Sequence, residues 1–139
     1  MRSTATRPFR WPVRVYYEDT DAAGVVYYAN YLKFLERART EWLAGLGFTL
    51  NALHSEHHAV FVVHRVELEY RSPARLGDEL DVTLALVDRG RSRLVADQQV
   101  IRGADLLVSA RVTLACLDPH TWRPARIPAA VRAQLEAYG

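Results

Sequence analysis

Apolar positions first alternate with polar ones at Val13, Val15 and Tyr17, which predicts a strand from Val13 to Tyr17 with these three on one face. A polar turn, Glu18-Asp19-Thr20-Asp21, and then Ala22-Ala23-Gly24 interrupt it. From about Asn30 the period changes to that of a helix. Tyr31, Leu35, Ala38, Trp42 and Leu46 recur at three or four residues, while Lys33, Arg37, Thr40 and Glu41 share another side. Gly45 and Gly47 mark the helix end. A histidine-rich loop precedes a run of long strands. Val60 to Tyr70 is apolar and then alternates; Leu80, Val82, Leu84 and Leu86 line one face of the next. A third runs from about Ser92 to Ile101, and Leu106, Val108, Ala110, Val112, Leu114 and Cys116 line one face of the last. Ser72-Pro73, Gly77-Asp78, Arg89-Gly90 and Gly103 supply the turns, and Pro128 opens a short final helix through Leu135.

One strand, one long helix and then a run of strands make an α+β chain, with a curved antiparallel sheet wrapped around one long central helix. No βαβ alternation of a nucleotide-binding fold occurs. One helix covers one face of such a sheet, so a second copy of the chain is the simplest cover for the rest, and a homo-oligomer, dimer or tetramer, is expected. The 139 residues suit a single domain, 1–139, whose first residues, 1–9, read as a flexible tail.

Composition narrows the function classes. The net charge of +2 comes from 18 basic and 16 acidic residues, with the arginines scattered rather than clustered, which argues against nucleic acid as the partner. Charges interrupt every apolar run, so no membrane span is expected. Arg2, Arg7 and Arg10 are followed by no apolar stretch of the kind a secretory signal needs. The single cysteine, Cys116, excludes an intrachain disulfide and favours a reducing compartment, the cytoplasm.

Candidate chemistry concentrates between Tyr16 and Trp42. Glu18, Asp19 and Asp21 lie in a turn that leads into a helix start, where backbone N–H groups lack partners and carry the positive end of the dipole. A carboxylate there can attack a carbonyl or activate water while free N–H groups hold the developing oxyanion. Gly24 would let the backbone approach a ligand closely. The plainer reading is an acidic turn capping a helix, and the residues alone leave both open.

The segment "RVYYEDTDAAGVVYYANYLKFLERARTEWL" resembles the signature of the 4-hydroxybenzoyl-CoA thioesterase-like hot-dog family, and more narrowly the YbgC-type thioesterases encoded beside the Tol–Pal envelope system. The likeness extends to "FRWPVRVYYEDTD", "FVVHRVELEYRSPARLGDEL" and "CLDPHTWRPARIP", nearly the whole chain from Phe9 onward. It implies a hot-dog fold and hydrolysis of acyl-CoA to a free acid and coenzyme A, with no cofactor beyond the substrate's own coenzyme A. It maps the catalytic carboxylate onto Asp21 and the oxyanion donor onto the backbone N–H of Tyr28. Many YbgC-type members carry histidine at that position; this chain has tyrosine. "DRGRSRL" falls where related thioesterases hold coenzyme A phosphates, which makes Arg89, Arg91 and secondarily Arg93 candidates, against the alternative of a solvated basic hairpin. An acyl carrier protein is a possible further partner, and contact with the Tol–Pal proteins rests on the resemblance alone.

Other residues invite weaker readings. His54, His57 and His58 in "HSEHH" match no catalytic zinc spacing, so no metal is expected. His64 reads as structural and Cys116 as a small buried hydrophobe. Glu36 and Glu41 are the rival carboxylates, because other hot-dog thioesterases place theirs on the helix; Arg37 offers Glu41 an ordinary ion pair. Two rival functions stand beside hydrolysis. A hot-dog dehydratase needs a positioned histidine base, which the signature segment lacks. A non-catalytic acyl-CoA or acyl-carrier-protein binding module would gain little from Asp21.

Overall fold

A computed structural model describes residues 8–138 of the chain. Five strands form one sheet: β1 (Phe9–Arg14), β2 (Val60–Tyr70), β3 (Glu79–Arg89), β4 (Arg93–Arg102) and β5 (Asp105–Leu117). Their order is β1-β3-β4-β5-β2, and every neighbouring pair is antiparallel. Three helices accompany them: α1 (Tyr31–Gly45), α2 (Leu50–His57) and α3 (Ala129–Tyr138). The expected hot-dog architecture is present, with α1 lying along one face of the sheet.

The helix face predicted from spacing is the buried one. Tyr31, Leu35, Ala38 and Trp42, joined by Phe34 and Leu43, pack with Val82, Leu84, Leu94, Val100, Val108 and Val112 in one core. Each large apolar side chain so buried contributes on the order of 1.5–3 kcal/mol relative to exposure. Gln98 is a polar residue in this core, 0% exposed beneath α1. Its Nε2 donates to the Leu35 carbonyl at 3.1 Å and its Oε1 accepts from Arg39 Nη1 at 3.0 Å. Leaving such a buried group unpaired costs about 1–3 kcal/mol, so the two bonds are what allow a glutamine there.

The structure departs from the sequence pattern in five places. The first strand lies earlier than Val13–Tyr17: it starts at Phe9 and stops at Arg14. The chain turns there because the Asp19 carboxylate captures the Tyr16 N–H, and Tyr17, placed by alternation beside buried Val15, is 82% exposed in a short 3-10 turn. Of the expected 1–9 tail, residues 1–7 lie outside the described residues and Phe9 already belongs to β1. The histidine-rich loop contains a helix, α2, capped by the Thr49 hydroxyl, which accepts from Ala52 N–H, and ended by His58 at φ 50°. With Leu53 as its only buried residue, α2 has almost no apolar period to read. In β5 a bulge opposite Val100 and Ile101 puts Leu107, not Leu106, in the core. Arg37 lies over the Phe34 ring at 5.8 Å rather than pairing with Glu41. Among the described residues, no helix is long and apolar enough to cross a membrane.

Candidate active site

The strand β1 and helix α1 are joined by a small hairpin. Tyr27 N–H donates to Asp19 O at 3.0 Å, Asp21 N–H donates to Val25 O at 2.9 Å, and Thr20 bridges Val26 between them. Asp21 and Gly24 form its tip, and its second arm runs through Tyr28 into α1. Gly24 N–H donates to Asp21 O at 3.0 Å, and Gly24 adopts φ 80°, a conformation that favours glycine. A Cβ at Gly24 would meet nothing within 4 Å, so open space lies against this backbone. Asp21 is exposed; one carboxylate oxygen, Oδ1, accepts from Ala23 N–H at 2.8 Å, and Oδ2 has no hydrogen-bond partner among the described residues.

Tyr28 opens a 3-10 turn, Tyr28–Asn30, that continues into α1. Its N–H has no acceptor among the described residues, as the first residue of a helix requires. The neighbouring carbonyl is held: Tyr28 O accepts from the Tyr70 hydroxyl at 2.9 Å. Tyr70 packs on Tyr31, ring centres 5.7 Å apart, and the Tyr31 hydroxyl accepts from Ala74 N–H at 2.9 Å. Burial raises the pKa of both hydroxyls, so Tyr70 stays protonated and able to donate at neutral pH. Tyr16, Tyr17, Tyr27, Tyr28 and Tyr70 are all exposed around this hairpin.

The loop between β2 and β3 supports the hairpin from beneath. Val26 N–H donates to Ala74 O at 2.9 Å, and Val25 bridges Arg75. Asp78 ties this loop together, accepting from Arg75 N–H and Arg102 Nη1, both at 2.8 Å. Burial works to raise the Asp78 pKa, but these donors outweigh it and hold the carboxyl below its ordinary range.

The two carboxylates of the D-x-D pair therefore differ in kind. Asp19 is 5% exposed, its Oδ2 accepting from Tyr16 N–H and its Oδ1 from Asn30 Nδ2, both at 2.9 Å. Asn30 and Tyr70 are the residues sequence reasoning passed over, and Asp19, named there in the acidic turn, was given no structural partner. The sole local signal was the side chain that an asparagine three residues after Tyr27 offers to an upstream turn.

The arginines lie elsewhere. Arg89 ends β3, whereas the hairpin sits beside Glu79 at its start, so the two lie about 30 Å apart at the ordinary rise of a strand. Arg91 joins Arg126 and Arg132 around a cleft of about 520 Å³, also lined by Ile127, Pro128 and Ala129. Arg132 Nη2 donates to Gly90 O at 2.6 Å, and Ile127 N–H to Arg91 O at 2.8 Å, which docks α3 against the turn. Arg89 is not in that lining; its Nε is buried with no acceptor among the described residues. Arg93 is exposed on β4.

The remaining candidates stay outside the hairpin. Glu36 is exposed and Glu41 half-buried along α1. His57 packs edge-on against Phe48, and His54 and His58 each lie 6.4 Å from His120 between ring centres. No three His, Cys, Asp or Glu side chains among the described residues form a group that could hold a metal ion. His64 is exposed at a register shift in β2. Burial pushes the Cys116 thiol up to about 11, unfit for a nucleophile at neutral pH.

A thioesterase-like superfamily model matches residues 15–135. The chain is 43% identical to the acyl-CoA thioester hydrolase YbgC of Escherichia coli O157:H7 over 132 residues, 94% of this chain and 98% of that one. It is 42% identical to the acyl-CoA thioesterase YbgC of Haemophilus influenzae over 125 residues, 90% and 92% of the two chains. The crystal structure of a probable thioesterase from Bartonella henselae superposes with a TM-score of 0.84 at 34% identity, covering 88% of this chain and 100% of that one. With its helix-wrapping sheet and matches that run nearly end to end, this chain belongs to the thioesterase-like superfamily of hot-dog proteins.

Proposed function

We propose that Asp21 is the catalytic carboxylate of this acyl-CoA thioester hydrolase, and that the Tyr28 N–H is its oxyanion donor. The observation that carries the reading is the hairpin itself: an exposed carboxylate with one free oxygen at the tip, and an unpartnered helix-start N–H at the end of the second arm. The thioester carbonyl oxygen accepts from Tyr28 N–H, which stabilises the charge that develops as the carbon becomes tetrahedral. Asp21 Oδ2 attacks that carbon, expelling coenzyme A as thiolate and leaving a mixed anhydride that water cleaves, or it removes a proton from the attacking water. Either route consumes one water and releases a free acid and coenzyme A. No step needs a metal or cofactor.

Arg91, Arg126 and Arg132 suit phosphate oxygens, with Arg89 at the margin. Their distance from the hairpin of the same chain favours service to the Asp21 of another copy, in a homo-oligomer. The strand edges support that assembly. β1 is a six-residue edge interrupted by Pro12, whereas β2 is an eleven-residue edge with Val63 and Tyr70 exposed, which invites pairing. A thiol with no disulfide partner in the chain suits the cytoplasm.

The test is turnover on acyl-CoA with free-thiol detection. Asp21→Asn should lower kcat by roughly 10²–10⁴-fold, while Glu36→Gln and Glu41→Gln stay near wild type. Collapse in either glutamate variant with Asp21→Asn active would move the chemistry onto α1.

A further inference from the structure

We propose that Asp19 is a positioning residue for hydrolysis, its buried carboxylate closing the base of the hairpin so that Asp21 is held in register with the start of α1. The proposal rests on the assignment of Asp21 above. Asp19 bonds to both arms. Its Oδ2 holds Tyr16 N–H on the incoming arm; its Oδ1 holds the Asn30 side chain at the N-terminus of α1, and its carbonyl oxygen holds Tyr27 N–H. The tip residues Asp21, Ala22, Ala23 and Gly24 are exposed. Apart from the support of residues 74–76, their position is therefore inherited from this base.

Two N–H donors point at the two oxygens of Asp19, so an alanine at residue 19 loses both bonds, whereas an asparagine keeps both by turning the Asn30 amide over to accept. No ion pair among the described residues involves Asp19. Its negative charge in a site 5% exposed is held by these neutral donors alone. A lost bond there loosens the junction between the catalytic carboxylate and the oxyanion donor, and displacement of about 1 Å can cost about 10²-fold in rate.

A double-mutant cycle separates this role from general support of the fold. Asp19→Ala should lower kcat by about 10- to 100-fold with KM little changed. In an Asp21→Asn background the same change should cost less than about twofold, because no positioned carboxylate remains to misplace. The exchange Asp19→Asn with Asn30→Asp reverses the donor and acceptor, conserves charge, and should restore kcat to within about threefold of wild type. Asn30→Ala, which removes one bond and keeps the carboxylate, gives the same cycle if Asp19→Ala is unstable. An equal loss in both backgrounds overturns the proposal, as does an exchange variant that recovers its melting temperature without recovering kcat. Full activity in Asp21→Asn alone is a different result and rejects the Asp21 assignment before Asp19 is touched.

Discussion

The two ends of β3 carry the two halves of the proposed site and are built to different tolerances. Beside Glu79, the hairpin is held through main-chain bonds, the buried Asp19–Asn30 pair, the tilted Tyr31–Tyr70 contact and the Asp78 loop beneath it. Beyond Arg89, the main chain of the turn is fastened by Arg132 and Ile127, while the guanidinium of Arg91 remains at an open cleft. Bond breaking at a carbonyl fails when the attacking atom moves by an ångström. Attraction between arginine and phosphate falls gently with distance and survives side-chain motion. Rigidity is placed where the proposed reaction needs it.

The largest effect that sharpens this comparison is the expected 10²–10⁴-fold loss in Asp21→Asn, because complementation can then reverse it. Chains carrying Asp21→Asn are mixed, by co-refolding, with chains carrying Arg91→Ala and Arg126→Ala. If one copy supplies the carboxylate and another the phosphate cleft, random dimers recover about a quarter of wild-type activity at low substrate. If both belong to one chain, mixing adds nothing to the separate activities.

Next in size is the split between binding and turnover. Arg91→Ala with Arg126→Ala should raise KM for acyl-CoA by about 10- to 100-fold with kcat nearly unchanged, since phosphate contacts are made equally in ground and transition states. Arg89→Ala, outside the cleft lining, should do less than Arg91→Ala. The effect should fade in high salt and vanish on an acyl-pantetheine thioester, which lacks the nucleotide. An equal loss on both substrates would make these arginines supports of the α3 dock.

The smallest effect concerns the floor of the hairpin. Asp78→Asn should cost about 1.5–3 kcal/mol at neutral pH, the range for a hydrogen bond to a charged group. The folded Asp78 pKa lies below the ordinary value of 3.8, so its contribution is complete above that value and is lost as pH falls through the lowered one. Melting temperatures of wild type and variant should therefore differ at pH 6 and converge as pH falls below 3.8 and through the lowered pKa. A constant difference across that range would assign the bond's effect to shape rather than charge.

What the sequence determined by itself was everything carried by local period and by the signature. The α1 face, the span Val60–Tyr70, the following strands, and the fold class were legible because burial on one face imposes a repeat of 3.6 or 2 on neighbouring residues. The proposed role of Asp21 comes from resemblance, since nothing local separates it from Asp19.

The tertiary structure decided the rest. Asp19 differs from Asp21 because Asn30, eleven residues on, reaches back to one and not the other. Leu107 replaces Leu106 in the core because a bulge shifts register against a partner strand. Arg126 and Arg132 join Arg91 only when the C-terminal segment folds back onto the turn, in a cleft whose lining does not include Arg89. Pairing register and loop docking depend on contacts between segments far apart in the chain. A periodic pattern says which face of an element is buried, but not what that face or its turns will meet.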